Sequence, residues 1–153
     1  MLQAEGVSKR DAAAAFAALL AHPNTLLVAY NAQFDLCFLY YFLARQKQAN
    51  ILQGVKLLDA MTVYKDRHDY PHKLCNAIET YGLQGQNTHR AIDDVKATLE
   101  LLDAMAAEED DLAQYVNLFG FHPKYGVSGP RISSVTYRPQ GYERHQKLYQ
   151  SLP

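Results

Sequence analysis

The chain has 153 residues, is 48% apolar and 20% charged, and carries a formal net charge of −1 at pH 7. These values are typical of one soluble globular domain. No run approaches the about 18 apolar residues that a membrane-spanning helix needs, and the opening MLQAEGVSKRD lacks the apolar core of a secretory signal. We therefore expect a cytoplasmic protein in which Cys37 and Cys75 are buried, reduced thiols.

Charge is unevenly distributed along the chain. Residues 1–111 hold 10 basic and 15 acidic side chains, a net of −5, whereas residues 112–153 hold 5 basic side chains and one acidic, a net of +4. An acidic body suits metal ions and a basic tail suits phosphate groups. Ordinary surface charge explains the same distribution equally well.

Helices alternate with strands in the first half of the chain. The run Thr25–Tyr30 is continuously apolar, as expected for a strand that is buried on both faces of a parallel sheet. Phe16, Leu19 and Leu20 mark the apolar face of the preceding helix. The predicted elements are a helix from Ser8, its N-cap, to about Ala21, a strand at Thr25–Tyr30, a helix at about 33–47, a strand at Val55–Asp59 and a helix at Ala60–Asp66.

The second half is mostly helical before a tail rich in Gly, Pro and Tyr. The predicted elements are helices at Lys73–Tyr81, at about 90–106 and at about 111–119, and a strand at Ile132–Tyr137. The alternation of helices and strands predicts an α/β sheet. Only two strands are predicted in the first 120 residues, and two parallel strands cannot cover each other, so the pattern predicts that the sheet needs more strands.

The hexapeptide Tyr30-Asn31-Ala32-Gln33-Phe34-Asp35 lies where a buried strand ends and a helix begins. Ligands collect at that end of the strands in open α/β sheets. We expect Asn31 to cap the helix, Phe34 to point toward the core, and Asp35 to lie in the first turn, where the helix dipole stabilises a carboxylate. A purely structural cap explains the hexapeptide as well as a functional site does.

A second group of polar residues occurs in Asn87-Thr88-His89-Arg90-Ala91-Ile92-Asp93-Asp94. A helix that starts near His89 would hold Asp94 about a turn and a half inside it and leave the imidazole on a mobile loop. A firmly held carboxylate suits a metal ligand, and a mobile imidazole suits a proton carrier near neutral pH. Asp93 faces a different side and is expected to be solvated. Alone, this pattern is weak, because a histidine beside a helix is usually an ordinary polar loop residue.

Together the two segments resemble a known family. YNAQFD is similar to the second motif of the DEDDh family of 3′→5′ exonucleases, usually H-N-A-x-F-D, and HRAIDD is similar to the third, H-R-A-x-D-D. Leu57-Leu58-Asp59 and Gly6-Val7-Ser8 also resemble that family's pattern, so the resemblance covers roughly residues 6–106. The family includes the proofreading subunit of bacterial DNA polymerase III and several ribonucleases.

The resemblance implies hydrolysis of phosphodiester bonds at the 3′ ends of DNA or RNA. Such enzymes use two Mg²⁺ or Mn²⁺ ions, which lie about 3.5–4 Å apart in two-metal sites. Carried over, Asp94 is a direct metal ligand, Asp35 an outer-sphere ligand and His89 the general base, with Asn31 and Phe34 at the substrate. Tyr30 stands where the family usually has His, a position that is not a ligand.

The first motif of the family, Asp-x-Glu, does not occur in these 153 residues. The resemblance begins where relatives have completed three strands, so we expect a ribonuclease-H-like α/β fold that lacks its first three strands. In this interpretation residues 1–119 form a partial exonuclease domain, and residues 120–153 form a C-terminal extension packed on the same domain. The chain alone is then impaired, and self-association through the exposed sheet edge is expected. The alternative is an inactive, exonuclease-like scaffold that binds nucleic acid or a polymerase.

Two interpretations of the tail remain open. Lys124, Arg131 and Arg138 are interleaved with Tyr125 and Tyr137, a pattern that suits a nucleic-acid backbone with platforms for stacked bases. The same tyrosines could equally fill gaps in the core.

Overall fold

The computed structural model describes residues 6–85, 88, 90–143 and 146–151. Its α-helices are α1 (Lys9–Leu20), α2 (Ala32–Arg45), α3 (Ala60–Arg67), α4 (Leu74–Thr80) and α5 (Ala91–Glu108). Its strands are β1 (Leu26–Ala29), β2 (Lys56–Asp59), β3 (Leu118–Phe121) and β4 (Thr136–Pro139). Short 3₁₀ turns lie at Ala49–Gly54, Leu112–Tyr115 and Leu148–Ser151. The predicted α/β class is confirmed.

The strands form two small parallel sheets that meet at one asparagine. β1 pairs with β2, and β3 pairs with β4, both in parallel. Asn117, just before β3, donates its backbone N–H to the Leu57 carbonyl at 2.7 Å, and its side-chain oxygen accepts from the Leu57 N–H at 2.7 Å. Asn117 has φ +58°, a left-handed conformation that asparagine tolerates better than most residues. The sheets are therefore joined through the backbone and side chain of Asn117 rather than by a continuous strand ladder.

Two apolar clusters cover opposite faces of β2. Leu57 belongs to a cluster with Leu36 and Phe119, whereas Leu58 belongs to a cluster with Tyr64 and Leu101. Successive side chains of a strand point to opposite faces, which explains this division. The neighbouring strand β1 divides its side chains in the same way, so the α2 side and the α5 side each have their own core.

Strand β1 is less buried than predicted. The expectation of a strand buried on both faces is wrong: Leu26 is 42% exposed, and Val28 is only partly buried. In the part of the chain that the structure describes, β1 pairs on one side only, with β2. Its other edge therefore keeps unpaired backbone groups.

The region after α5 also differs from the prediction. The helix expected at about 111–119 is a 3₁₀ turn followed by β3, and the strand expected at Ile132–Tyr137 begins only at Thr136. The segment 116–119 is too short for its periodicity to distinguish a helix from a strand. The left-handed Asn117 ends the helical path, so the run pairs as a strand.

Local sequence signals predicted where helices begin and end, but they did not predict which side chains are exposed. The Ser8 hydroxyl accepts from the Asp11 N–H at 3.0 Å, and α4 stops before Gly82, which has φ +61°. In contrast, Leu19 is 66% exposed, although it was expected on the apolar face of α1. The cysteines are free thiols as expected, but Cys37 is only half-buried and Cys75 is exposed.

The end of the chain binds to the body through charged groups. The buried Arg67 guanidinium donates to Asp111 at 2.6 Å and to Glu108 at 2.8 Å. Lys147 donates to the same Asp111 at 2.7 Å. A carboxylate that is only 8% exposed thus has two cationic partners, and these bonds tie the last described residues to the end of α5.

Within the described residues, no helix is long and apolar enough to cross a membrane.

Candidate active site

A groove of about 650 Å³ runs along the free edge of β1, between α2 and α5. Most of its wall is apolar, and its carboxylates are Asp35 from α2 and Asp94 from α5. Residues 59 apart in the chain therefore meet in one groove. Neither Asp59 nor Asp93 lines it.

Asp35 lies in the first turn of α2, as expected, and is exposed. Desolvation by the surrounding apolar side chains raises the pKa of the Asp35 carboxyl, and the negative charge of Asp59 raises it further. Its own backbone N–H opposes this shift through a hydrogen bond. Asp35 is therefore a carboxylate whose charge is disfavoured by its surroundings and would be stabilised by a cation.

The turn before α2 is held by Asp59 rather than by Asn31. The Asn31 side chain makes no capping hydrogen bond, and its backbone is left-handed, with φ +64°. Instead, Asp59 Oδ1 accepts the N–H groups of Asn31 and Ala32 at 2.9 and 3.1 Å. The prediction that Asn31 caps the helix is wrong, because an acceptor at the end of β2 binds these groups.

Asp59 is the structural residue that the sequence analysis missed. It is 1% exposed, and it also accepts from the Met61 N–H at 3.1 Å and from the Thr62 hydroxyl at 2.8 Å. Burial raises the pKa of Asp59, while these hydrogen bonds lower it. An aspartate that ends a strand and begins a helix is the signal that could have identified this role.

Asp94 presents an unsatisfied oxygen to the protein interior. It lies in the first turn of α5, and not a turn and a half inside the helix as predicted, because α5 begins at Ala91. Its Oδ1 is buried and makes no hydrogen bond with any residue that the structure describes. Most buried side-chain oxygens have a partner, so this exception is informative. Its neighbour Asp93 instead accepts from the Thr88 hydroxyl at 2.6 Å.

The remaining predicted site residues have different positions. Phe34 was expected in the core but is 60% exposed and lines the groove. Asn31 lines a second, neighbouring cavity. Tyr30 donates its hydroxyl to the His72 carbonyl at 2.7 Å, which ties the end of β1 to the segment before α4. His89, the predicted general base, lies outside the described residues.

The donor set of the groove suits a hard cation but is small. Carboxylate oxygens are the ligands that Mg²⁺ and Mn²⁺ prefer, and the buried Asp94 Oδ1 has no hydrogen-bond partner among the described residues. Among the residues that the structure describes, no group of three or more His, Cys, Asp or Glu side chains could hold a metal ion. The groove thus has part of a metal-binding donor set.

A comparison with protein families identifies a family that the chain matches. Residues 3–102 match the family model described as Exonuclease, which is named for ribonuclease T. That family implies a ribonuclease-H-like fold, and divalent metals are typical of its members. Searches of curated proteins and of solved structures found no match.

Proposed function

Because the chain belongs to the ribonuclease T family of exonucleases, we propose that it serves in 3′→5′ hydrolysis of phosphodiester bonds in DNA or RNA. One observation carries the proposal. Asp35 and Asp94 line the same groove, and within the described parts of the chain a buried Asp94 oxygen has no hydrogen-bond partner. A buried carboxylate oxygen costs free energy unless it is paired, so its retention favours a functional role.

The proposed roles follow the family pattern. When bound, Mg²⁺ or Mn²⁺ supplies positive charge for the attacking and leaving oxygens of the phosphodiester. Asp94 would bind a metal ion directly, and Asp35 would bind through water. His89 would accept the proton of the attacking water, and Asn31 and Phe34 would contact the terminal nucleotide.

Full activity requires more carboxylates than the groove contains. The 153 residues include no Asp-x-Glu, and Asp35 and Asp94 are too few to hold two divalent ions at the spacing that catalysis needs. We propose that the chain alone is slow, and that an added strand with Asp-x-Glu beside β1 would complete the site.

The proposed metal ligands can be tested in the chain alone by measuring Mn²⁺ binding. Mn²⁺ should broaden the backbone NMR signals around Asp35 and Asp94 selectively, and Asp94→Ala should remove this effect. Asp93→Ala is the matched control, since it alters the neighbouring carboxylate outside the groove. Broadening that survives Asp94→Ala and disappears in Asp93→Ala would refute the assignment.

Catalysis is tested in a protein with an added N-terminal strand segment that carries Asp-x-Glu. It should shorten 5′-labelled oligonucleotides from the 3′ end, and Asp94→Ala should abolish this. His89→Ala should lower turnover by about 10²–10⁴-fold, as is typical of a lost general base, with little change in substrate affinity. Rapid cleavage by the original chain that survives Asp94→Ala would contradict the proposal.

A scaffold is the second candidate function. The observation in its favour is that the described residues include no cluster of three metal-binding side chains. A completed protein that binds oligonucleotides tightly but never shortens them would support the scaffold and exclude the exonuclease.

The free edge of β1 also predicts self-association. Unpaired strand edges recruit other chains, and Leu26 adds an exposed apolar side chain to this one. Light scattering should show oligomers that Leu26→Lys reduces, while Lys56→Gln on the paired strand leaves them unchanged. A wild-type chain that stays monomeric up to high concentration would refute this prediction.

A further inference from the structure

A band of aromatic side chains crosses the surface beside the groove. Five of its six members are at least half exposed, which is unusual for rings of this size: Phe34 (60%), Phe38 (66%), Tyr125 (72%), Tyr142 (50%) and Tyr70 (65%), with the half-buried His122 between the tyrosines. Three of the six lie beyond residue 102, where the family match ends. We call these six residues the aromatic band.

The rings of the band are close neighbours. The Phe34 and Phe38 centroids are 5.0 Å apart. His122 lies 5.1 Å from Tyr125 and 4.8 Å from Tyr142, and Tyr142 lies 5.0 Å from Tyr70. Phe34, Phe38, His122 and Tyr125 line a cavity of about 420 Å³, whereas Tyr142 and Tyr70 do not line it.

Two lysines supply positive charge along the band. Lys65 is half-buried and lines the cavity. Burial lowers the pKa of its ammonium group, although the charge of Asp59 raises it. Lys124 lies 5.4 Å from the centre of the Tyr125 ring. A partly buried ammonium group is stabilised by an anion such as phosphate.

The segment that carries Tyr125 is held against α2. The Gln33 side chain donates to the Gly120 carbonyl at 3.0 Å and accepts from the Ser128 N–H at 3.2 Å. Both walls of the cavity are therefore positioned before any ligand arrives, which reduces the entropic cost of binding.

The band continues directly from the groove, because Phe34 lines both cavities. We propose that the aromatic band binds single-stranded nucleic acid, with bases stacked on its rings and backbone phosphates beside Lys65 and Lys124. The direction of the strand, from a 3′ end beside Asp35 and Asp94 toward Tyr70, rests on the proposed exonuclease function.

Single strands fit these features better than duplex or protein partners. Bases in a duplex are covered by their neighbours, whereas the bases of a single strand are free to stack on aromatic side chains. Residues 112–153, which carry half of the band, have a net charge of +4, and this charge favours a polyanion. Stacking does not read the sugar, so DNA and RNA share the chemistry that the band recognises.

Binding is measured without hydrolysis, by fluorescence anisotropy of labelled dT₁₂ and rU₁₂ in EDTA. The full chain should bind both and should bind a matched hairpin duplex much more weakly. Phe38→Ala and Tyr125→Ala should each weaken binding by about 5- to 150-fold, the range expected for one stacked base. Tyr41→Ala is the matched control, because Tyr41 is 54% exposed on the same helix but lines neither cavity.

A salt titration tests the charges. Lys65→Gln should lower the slope of log affinity against log salt by about one, and Lys56→Gln should not. Circular dichroism establishes that each variant is folded. In addition, oligonucleotides with 5-iodouracil should crosslink to peptides that contain Tyr125 or Tyr142.

Each outcome of these binding experiments either supports or refutes the proposal, whether or not the protein hydrolyses nucleic acid. Weak binding that Phe38→Ala and Tyr125→Ala leave unchanged, or crosslinks only outside the band, would overturn it even if the completed enzyme is active. If these variants instead reduce self-association, the band is a protein contact and the proposal is wrong. Loss of binding in both variants supports it even if no cleavage is ever detected.

Discussion

Replacing Asp59 by alanine should destabilise the chain strongly and release the start of α2. The Asp59 carboxylate accepts N–H groups from Asn31, Ala32 and Met61 and a hydroxyl from Thr62. Alanine leaves these donors without an acceptor in a site that is 1% exposed in the wild type. Because α2 carries Asp35, the perturbation reaches the candidate active site.

The magnitude follows from the number of donors. One unsatisfied buried donor costs about 1–3 kcal/mol, but water can reach the partly buried groups, so we expect a loss of about 3–5 kcal/mol. Asparagine at position 59 keeps an acceptor for the three N–H groups and can donate to the Thr62 oxygen. It also removes a buried charge, so Asp59→Asn should change stability by about 1 kcal/mol or less.

Urea unfolding of the three proteins at several pH values measures both effects. The folded-state pKa of Asp59 is raised above its unfolded value, so this carboxyl favours folding below the unfolded pKa of about 3.9. That contribution is lost as the pH rises through the folded pKa. Asp59→Asn should therefore gain stability relative to the wild type over that interval.

The same substitution should change Asp35. The charge of Asp59 contributes, after desolvation, to the raised pKa of Asp35, so an NMR titration should show a lower Asp35 pKa in Asp59→Asn. The reasoning is refuted if the free energy of unfolding of Asp59→Ala is within about 1 kcal/mol of the wild-type value. It is also refuted if Asp59→Asn loses as much stability as Asp59→Ala.

Two further predictions concern the packing of the C-terminal segment. Gly120→Ala should lower the free energy of unfolding in urea by about 2–4 kcal/mol, because the new Cβ would lie 2.0 Å from the Gln140 side-chain oxygen. The control Gly54→Ala has open space around the new Cβ and should be nearly neutral. Equal losses of stability in the two variants would contradict this prediction. Burial alone raises the pKa of Asp111, but hydrogen bonds from its two cationic partners lower it overall. Asp111→Ala should therefore lower the free energy of unfolding by about 3 kcal/mol near neutral pH. This difference in stability from the wild type should disappear as the pH falls from the unfolded pKa of about 3.9 through the lower folded pKa. A difference that persists in acid would disprove this account.

Local sequence signals were sufficient for most elements. The Ser8 cap, the apolar strand after Pro23 and the glycine at position 82 place α1, β1 and the end of α4 within one or two residues of their bounds. Such features act between near neighbours in the chain, so they are legible without the fold. The order and spacing of the two motifs around Asp35 and Asp94 likewise predicted the family that residues 3–102 match.

Long-range partners decided what the sequence left open. The acceptor that holds the turn at Asn31 lies 28 residues away at Asp59, and a residue that far along the chain cannot be identified from local pattern. Phe34 and Phe38 have the spacing of core residues in a helix, yet they are exposed because the groove and the neighbouring cavity lie beside them rather than a covering element. Periodicity shows which side chains share a face of a helix, but only the packing of the other elements determines whether that face meets the core, a ligand or water.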